Sequence, residues 1–397
     1  MSKVKKRFAG YPTADVYEDD NGRKGRKKIQ QLLWGDEFLQ YEETDGDYVR
    51  VQVRVGEGSV TKKGWMKSGS IARERLLEAT FVDIGQGDGC LLVMPDNRRY
   101  VIDAGKQDHM SRFLKWRFMF MKDRTDFEAA VITHPDADHY QGFDAVLSLK
   151  NAVFRNVYHN GLVERRGDHS LGEPVGSHLR VFPPIVTDQD LRQLLDGEKG
   201  KKSRKNYPDL LTKAANQTQP TAKFQMLSRA DEYLPGCEAD KNVVVQILGP
   251  VMEATEHDGT TVHGLRMFPG DDGKANNSKS KNGHSVVLRL TYGKVRMLLG
   301  GDLNIPAEEL LLETLMDGAP LPPREQKRAR EKYIKQAREK LEVDIAKSCH
   351  HGSADFSSLF LEVVNPVATV ISSGDDGSYS HPRAETLGAI GVNSRGH

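Results

Sequence analysis

Thr133-His134-Pro135-Asp136-Ala137-Asp138-His139 follows directly on the apolar run Ala129-Ala130-Val131-Ile132. The run reads as a buried strand. A chain that leaves such a strand and turns sharply through Pro135 spreads His134, Asp136, Asp138 and His139 into one pocket. Imidazole nitrogens and carboxylate oxygens are the donors that divalent cations take, and so many of them at one strand end are costly to bury without a cation. A plainer use exists for one of them, since Asp136 is placed to cap a helix beginning near Tyr140. Capping needs a single carboxylate and accounts for neither histidine.

The chain has 397 residues, room for two or three domains and a large core. Its formal net charge of +1 excludes adhesion to nucleic acid or membrane through bulk charge, so any such contact has to come from local patches. No apolar run reaches the length of a membrane-spanning helix, and the basic start Met1 to Arg7 is not followed by the apolar core of a signal peptide. The expectation is a cytoplasmic protein with no membrane partner. Cys90, Cys237 and Cys349 are too few for a disulfide framework, and Cys349, beside His350, reads as a small buried residue rather than a nucleophile.

Residues 1 to 75 form a first domain in this reading. Ala14-Asp15-Val16-Tyr17, the charge run Arg23 to Lys28, Leu32-Leu33-Trp34-Gly35-Asp36, the alternating Tyr48-Val49-Arg50-Val51-Gln52-Val53 and Gly64-Trp65-Met66 are a succession of short strands. Their order resembles a small bacterial SH3-type barrel. The resemblance implies a module that recognises a peptide, a glycan or a partner protein, or one that simply packs on the next domain.

Residues 76 to 397 carry the chemistry. Phe81-Val82-Asp83-Ile84-Gly85-Gln86-Gly87-Asp88-Gly89-Cys90-Leu91-Leu92-Val93-Met94 reads as strand, glycine turn, strand, and Arg99-Tyr100-Val101-Ile102-Asp103-Ala104-Gly105 as a third strand. Asp103 reads as a turn residue or a group behind the ligands. Further on come Asn282-Gly283-His284-Ser285-Val286-Val287-Leu288-Arg289-Leu290, Met297-Leu298-Leu299-Gly300-Gly301-Asp302, Ala346-Lys347-Ser348-Cys349-His350-His351-Gly352-Ser353, and Val370-Ile371-Ser372-Ser373-Gly374 with Ser380-His381-Pro382. In this order, together with His134 to His139, the motifs resemble the metallo-β-lactamase fold superfamily, and within it the ComEC-type branch. The resemblance implies an α/β (α+β) protein, a four-layer αββα sandwich preceded by the small all-β SH3-like barrel. Insertions fall near 160–280 and 319–345.

The resemblance also implies two divalent metal ions with Asp302 between them. His134 and Asp136 go to one ion and Asp138 and His139 to the other. Such a pair can hold a hydroxide, acidify it to usable levels at neutral pH and clamp a scissile phosphate. Asp302 ends an apolar strand, where an isolated carboxylate is desolvated at a cost unless it meets a cation. Asp136 departs from the commoner histidine at its place and hardens that side, which favours manganese, with zinc close behind and magnesium third. Neighbours on a strand point to opposite faces, so either His350 or His351 reaches the metal; the other is a candidate acid or phosphate-binding group. His284 is a further candidate ligand, and His381 either a ligand or a substrate-binding residue. His159 lines the cleft or ends a strand, and His169, His178, His257 and His263 read as loop residues.

Gly197 to Asn206 is mainly basic and Pro269 to Asn282 is rich in glycine, serine, asparagine and lysine; both read as surface loops. Arg324 to Leu341 reads as a charged helix that packs back through Tyr333, Ile334, Ala337 and Leu341. The helix holding Glu385 to Ile390 is followed by Gly391 to His397 with no closing strand. These features lead to a phosphodiesterase, first of all a nuclease acting on DNA or RNA. The alternatives are a hydrolase of small phosphodiesters such as a cyclic nucleotide or a phosphorylcholine ester, and a partner-triggered effector recruited through the SH3-like domain or helix 324–341.

Overall fold

In Tyr48–Arg54 the alternating sequence is realised as a half-buried strand, with Val49, Val51 and Val53 buried and the residues between them turned outward. The structure, a computed structural model, describes residues 4–56, 60–118, 121–165, 167, 169–175, 181–198, 206–216, 221–374 and 380–395. Residues 199–205 of the basic stretch Gly197 to Asn206 lie outside the described ones, as does His178. The chain divides into two compact units, one of Met1–Ala79 with Leu92–Arg99 and Phe113–Asp123, the other of Thr80–Leu91, Tyr100–Arg112 and Arg124–His397.

The first unit holds a seven-stranded sheet in the order Arg23–Leu33, Thr13–Asp20, Thr61–Lys67, Tyr48–Arg54, Glu37–Asp45, Lys5–Ala9, Ile71–Ala72. Its strand pairs are antiparallel. Ala14, Val16, Leu32, Phe38, Val49, Val51, Val53 and Met66 form its core. Gly64 is required where two strands nearly touch, because a Cβ there would meet the Tyr17 carbonyl at 2.4 Å.

The second unit is mixed α/β. Thr125–Ile132 lies between Arg99–Ala104 and Ala152–His159, parallel to both, and Lys223–Met226 continues the parallel order. Parallel strands end on the same edge, so Asp103, Thr133 and Asn160 come together there. A five-stranded sheet runs Val243–Gly249, Val287–Tyr292, Val295–Leu299, Ile345–Lys347, Ala368–Val370, its last two pairings parallel. That arrangement gathers the residues after Leu299, Lys347 and Val370 on one edge. The two sheets are tied at those edges by the Val286 N–H, which donates to the Thr133 carbonyl at 2.9 Å.

Helices cover the five-stranded sheet. Ile305–Leu315, Lys327–Leu341 and Ser358–Val364 bury Leu311, Leu312, Tyr333, Ala337, Leu341, Phe360 and Val363 against Val287, Leu298 and Ala346, with Ile334 packed alongside. The charged helix thus docks through the stripe read from its sequence. No helix among the described residues is long and apolar enough to cross a membrane.

Two local expectations are corrected. His257 and His263 are not loop residues but lie in the antiparallel strands Glu253–His257 and Thr260–Arg266, joined through Asp258-Gly259, a turn pair that favours positive φ. Pro269 to Asn282 is not loop throughout, because Asn277–Gly283 is a helix whose Ser280, Lys281, Asn282 and Gly283 are buried. Asn276 caps it, accepting from the Lys279 N–H at 2.9 Å, and the Ser280 hydroxyl binds the Asn276 carbonyl while receiving the Phe268 N–H. Polar composition is compatible with burial here because these side chains bond backbone groups instead of water.

Candidate metal centre

Asp136 occupies the N-cap position of the short helix Ala137–Tyr140, yet its side chain makes no capping bond. It turns to Lys281, which pairs with one Asp136 oxygen and with Glu164 Oε2 at 3.1 Å. The capping explanation of the opening motif therefore gives way to an electrostatic one. Among the described residues, one group of metal-type donors converges: Asp88, His139, Asp302 and His351 each bring a ligand atom, all within 4.8 Å of one another.

Asp103 aligns His139. With φ of 53°, its backbone turns so that one carboxylate oxygen accepts from the Thr133 hydroxyl at 2.7 Å and from His139 Nδ1 at 2.8 Å. His351 Nδ1 likewise donates to the Ser372 carbonyl at 3.0 Å. With both Nδ1 atoms protonated, both Nε2 atoms present lone pairs. They lie 3.2 Å from each other and 3.3 and 3.2 Å from Asp302 Oδ2. Such atoms repel unless a proton or a metal ion stands among them. Asp88 Oδ1 and Asp302 Oδ1, both of this group, are buried with no hydrogen-bond partner, as oxygens that hold a cation would be.

The electrostatics agree. Burial works against charge on both histidines, but Asp302 and Asp103 hold the His139 pKa well above its usual range, and Asp302 and Asp88 raise that of His351 to about 9. In return, and again against burial, the histidines hold Asp302 well below its ordinary value. Burial also opposes ionisation of Asp88, yet Lys347 and His351 lower its pKa to about 2. The buried carboxylates thus demand positive charge, which protons on the imidazoles or a divalent ion can meet. Two carboxylates and two imidazoles suit manganese or zinc.

Asp88 stands in the Gly85-Gln86-Gly87-Asp88 turn, which the sequence marks as a turn and not as a ligand site. Gly87 has φ of 109° and passes so close to the Asp138 carbonyl that any Cβ would collide with it. That approach lets the Asp88 N–H donate to the Asp138 carbonyl at 3.2 Å and brings the two motifs together. Lys347 is buried, pairs with Asp88, and lies 3.9 Å from Asp302 Oδ1.

The strand ends at Lys347, so the alternation rule does not apply to the histidine pair. His350 and His351 both take positive φ, 48° and 54°. His351 rather than His350 thereby reaches the donor group. His350 turns toward Asn282 and His381, their ring centroids 5.9 Å apart for the histidine pair, and burial lowers its pKa. Asp138 stands at the group's rim, Oδ2 at 3.6 Å from His351 Nε2 and accepting from Gln86 at 3.1 Å. His134 Nε2 lies 3.7 Å from Asp136 and 3.9 Å from Asp302. His284 is not brought to the group: its Nε2 is bonded to the Arg266 carbonyl and its ring stacks on Phe268. Cys349 is not among the converging donors, and burial pushes its thiol well above its ordinary value.

In front of the group lies a cavity of about 580 Å³ lined by Gln86, Asp136, Asp138, Asn282, Asp302, His350, His351 and His381, with Lys106 and Lys279.

His159 ends its strand fully buried, its Nδ1 accepting from the Gly161 N–H at 3.0 Å, and burial lowers its pKa to about 4. Between the ordinary 6.5 and that value the unfolded chain binds a proton that the folded chain refuses. Stability present above this window is therefore lost as the pH falls through it, by up to about 3 kcal/mol. His159→Asn keeps the acceptor and removes the titration, so its denaturation free energy should decline less steeply in acid; parallel profiles for the two proteins would rule this out.

The sequence matches no protein-family model and no curated protein. Among solved structures the chain is similar to a HARLDQ-motif mutant of a metallo-beta-lactamase from Cronobacter sakazakii (Enterobacter sakazakii), at 13% identity over 69% of this chain and 77% of that one, with a TM-score of 0.30. It is also similar to a HARLDQ-motif metallo-beta-lactamase of that organism, at 12% identity over 67% of this chain and 66% of that one, with a TM-score of 0.27.

Proposed function

We propose that the chain is a metal-dependent hydrolase of the metallo-β-lactamase superfamily, of its ComEC-type branch, and that it cleaves phosphodiesters, nucleic acid foremost. The observation that carries the reading is the convergence of Asp88, His139, Asp302 and His351 beside a polar cavity. The ordered motifs support the branch. When bound there, a divalent ion would supply Lewis acidity, lowering the pKa of water and neutralising charge on phosphoryl oxygens.

The protein's own groups have separate tasks in this reading. Asp103 and the Ser372 carbonyl keep the two imidazoles in the tautomer that offers Nε2. Asp138, held by Gln86 at the cavity, accepts the proton of the attacking water. Water oxygen bonds to phosphorus, the bond from phosphorus to the leaving oxygen breaks, and that oxygen takes up the proton that Asp138 accepted. His350 and His381 face the cavity and offer N–H groups to the phosphate or to the departing oxygen. The all-β unit, read as SH3-like, and the helix Lys327–Leu341 would recruit a partner that triggers or directs cleavage.

A small phosphodiester such as a cyclic nucleotide is the second reading, favoured by the cavity volume of about 580 Å³, which lies in the range of small-ligand sites. The test is a panel of a chromogenic bis-ester, a cyclic dinucleotide, single-stranded and duplex DNA, and RNA, each with manganese, zinc or magnesium. Cleavage of polymers before the small esters supports the nuclease; the reverse order supports the second reading. A metal-loaded protein that leaves every member uncut would sink both.

A further inference from the structure

We infer that the ammonium of Lys281 occupies the His134–Asp136 side of the site as a built-in cation and closes it to a second metal ion, so that one divalent ion is held on Asp88, His139, Asp302 and His351. The inference rests on the proposed metal centre and narrows it from the pair of ions that the motifs imply.

The support is geometric. Lys281 is 9% exposed and stands between two carboxylates, Asp136 and Glu164. The remaining Asp136 oxygen is also engaged. With its carboxamide turned so that the NH₂ faces acceptors, Asn282 donates to Asp136 Oδ2 at 2.7 Å and to the Ser278 carbonyl at 3.2 Å. Both oxygens of Asp136 are then engaged, one by an ammonium and one by an N–H donor. Asp136 and His134 are also outside the converging group. The Ser285 hydroxyl lies 3.2 Å from His134 Nδ1, so His134 offers only Nε2, and with Asp136 held by Lys281 this side has few donors to give a second divalent ion.

Lys281 is not a side chain that swings aside when an ion arrives. It belongs to the helix Asn277–Gly283, whose start is fixed by the Asn276 cap, and Glu164 holds its ammonium from the other side. A divalent ion bound to Asp136 would lie against that buried ammonium, and like charges at low dielectric repel strongly. Removing the lysine has the opposite effect. Asp136 and Glu164 would then face each other as half-buried carboxylates beside His134, an arrangement that calls for a cation.

The experiment is metal analysis of the full chain after loading with manganese and dialysis, together with the manganese EPR spectrum. About one ion per chain with an isolated-ion spectrum is expected for the wild type. Lys281→Met should rise to about two ions and show an exchange-coupled spectrum, and Lys281→Arg, which keeps the charge, should stay at about one. A wild-type chain that binds about two ions, or a folded Lys281→Met chain that still binds only one, overturns the inference. No ion bound in any of the three overturns instead the metal centre on which it rests. Retention of the first ion by Lys281→Met shows that the donor group has survived the substitution.

Discussion

Asp302→Asn should abolish the phosphodiester cleavage proposed for the metal-loaded protein, by at least about 10³-fold, equivalent to roughly 4 kcal/mol of transition-state stabilisation. The reason lies in its position. One Asp302 oxygen is within 3.3 Å of both His139 Nε2 and His351 Nε2, and the other is buried with no hydrogen-bond partner. The amide keeps the shape but presents less charge to a cation, so metal content should fall together with activity. Both are measured on one preparation, by elemental analysis and by initial rates on the substrate that the panel selects. A variant that keeps its metal and its rate would place the reaction elsewhere in the molecule.

Lys347→Met should destabilise the metal-free protein by about 3–5 kcal/mol, because it leaves carboxylates buried without their cation. Lys347 is 4% exposed, pairs with Asp88, and lies 3.9 Å from Asp302. Burial lowers its pKa, but Asp88 and Asp302 more than offset this, so the side chain stays charged in the folded state. Methionine fills similar volume and supplies no charge. Denaturant unfolding in the presence of a chelator measures the loss, and the same titration with manganese should recover more stability in the variant than in the wild type, since the ion then neutralises Asp88 and Asp302 alone. A variant within about 1 kcal/mol of the wild type in chelator would show that the lysine does not compensate the site.

The two lysines mark the limit of a reading along the chain. Lys281 sits in a stretch whose glycine, serine and asparagine content reads as exposed loop, and Lys347 within an apolar strand end. Each is charged and buried because carboxylates remote in sequence reach it. Asp88 has the same history: it is paired across 259 positions with Lys347, by subtraction of 88 from 347, and nothing local distinguishes it from a turn aspartate. By contrast, the burial of Val49, Val51 and Val53 and of Tyr333, Ala337 and Leu341 was legible, since residue periods of two and of about 3.6 are written into the sequence itself.

By itself the sequence determined where strands end and which metal-type donors stand at those ends, because apolar runs, turn residues and side-chain chemistry are local properties. The resemblance carried by the ordered motifs implied in addition that His134, Asp136, Asp138, His139, Asp302 and the histidine pair meet at one edge. Only the tertiary structure decided how these groups are shared out. Positive φ at Asp103, His350 and His351 aims side chains where strand alternation would not. Contacts between distant segments then bring Asp88 to the donor group, turn Asp136 to Lys281 and set His284 on the Arg266 carbonyl. Charge compensation in a buried site depends on distances of a few ångströms between segments far apart in the chain, and those distances exist only once the sheets have met.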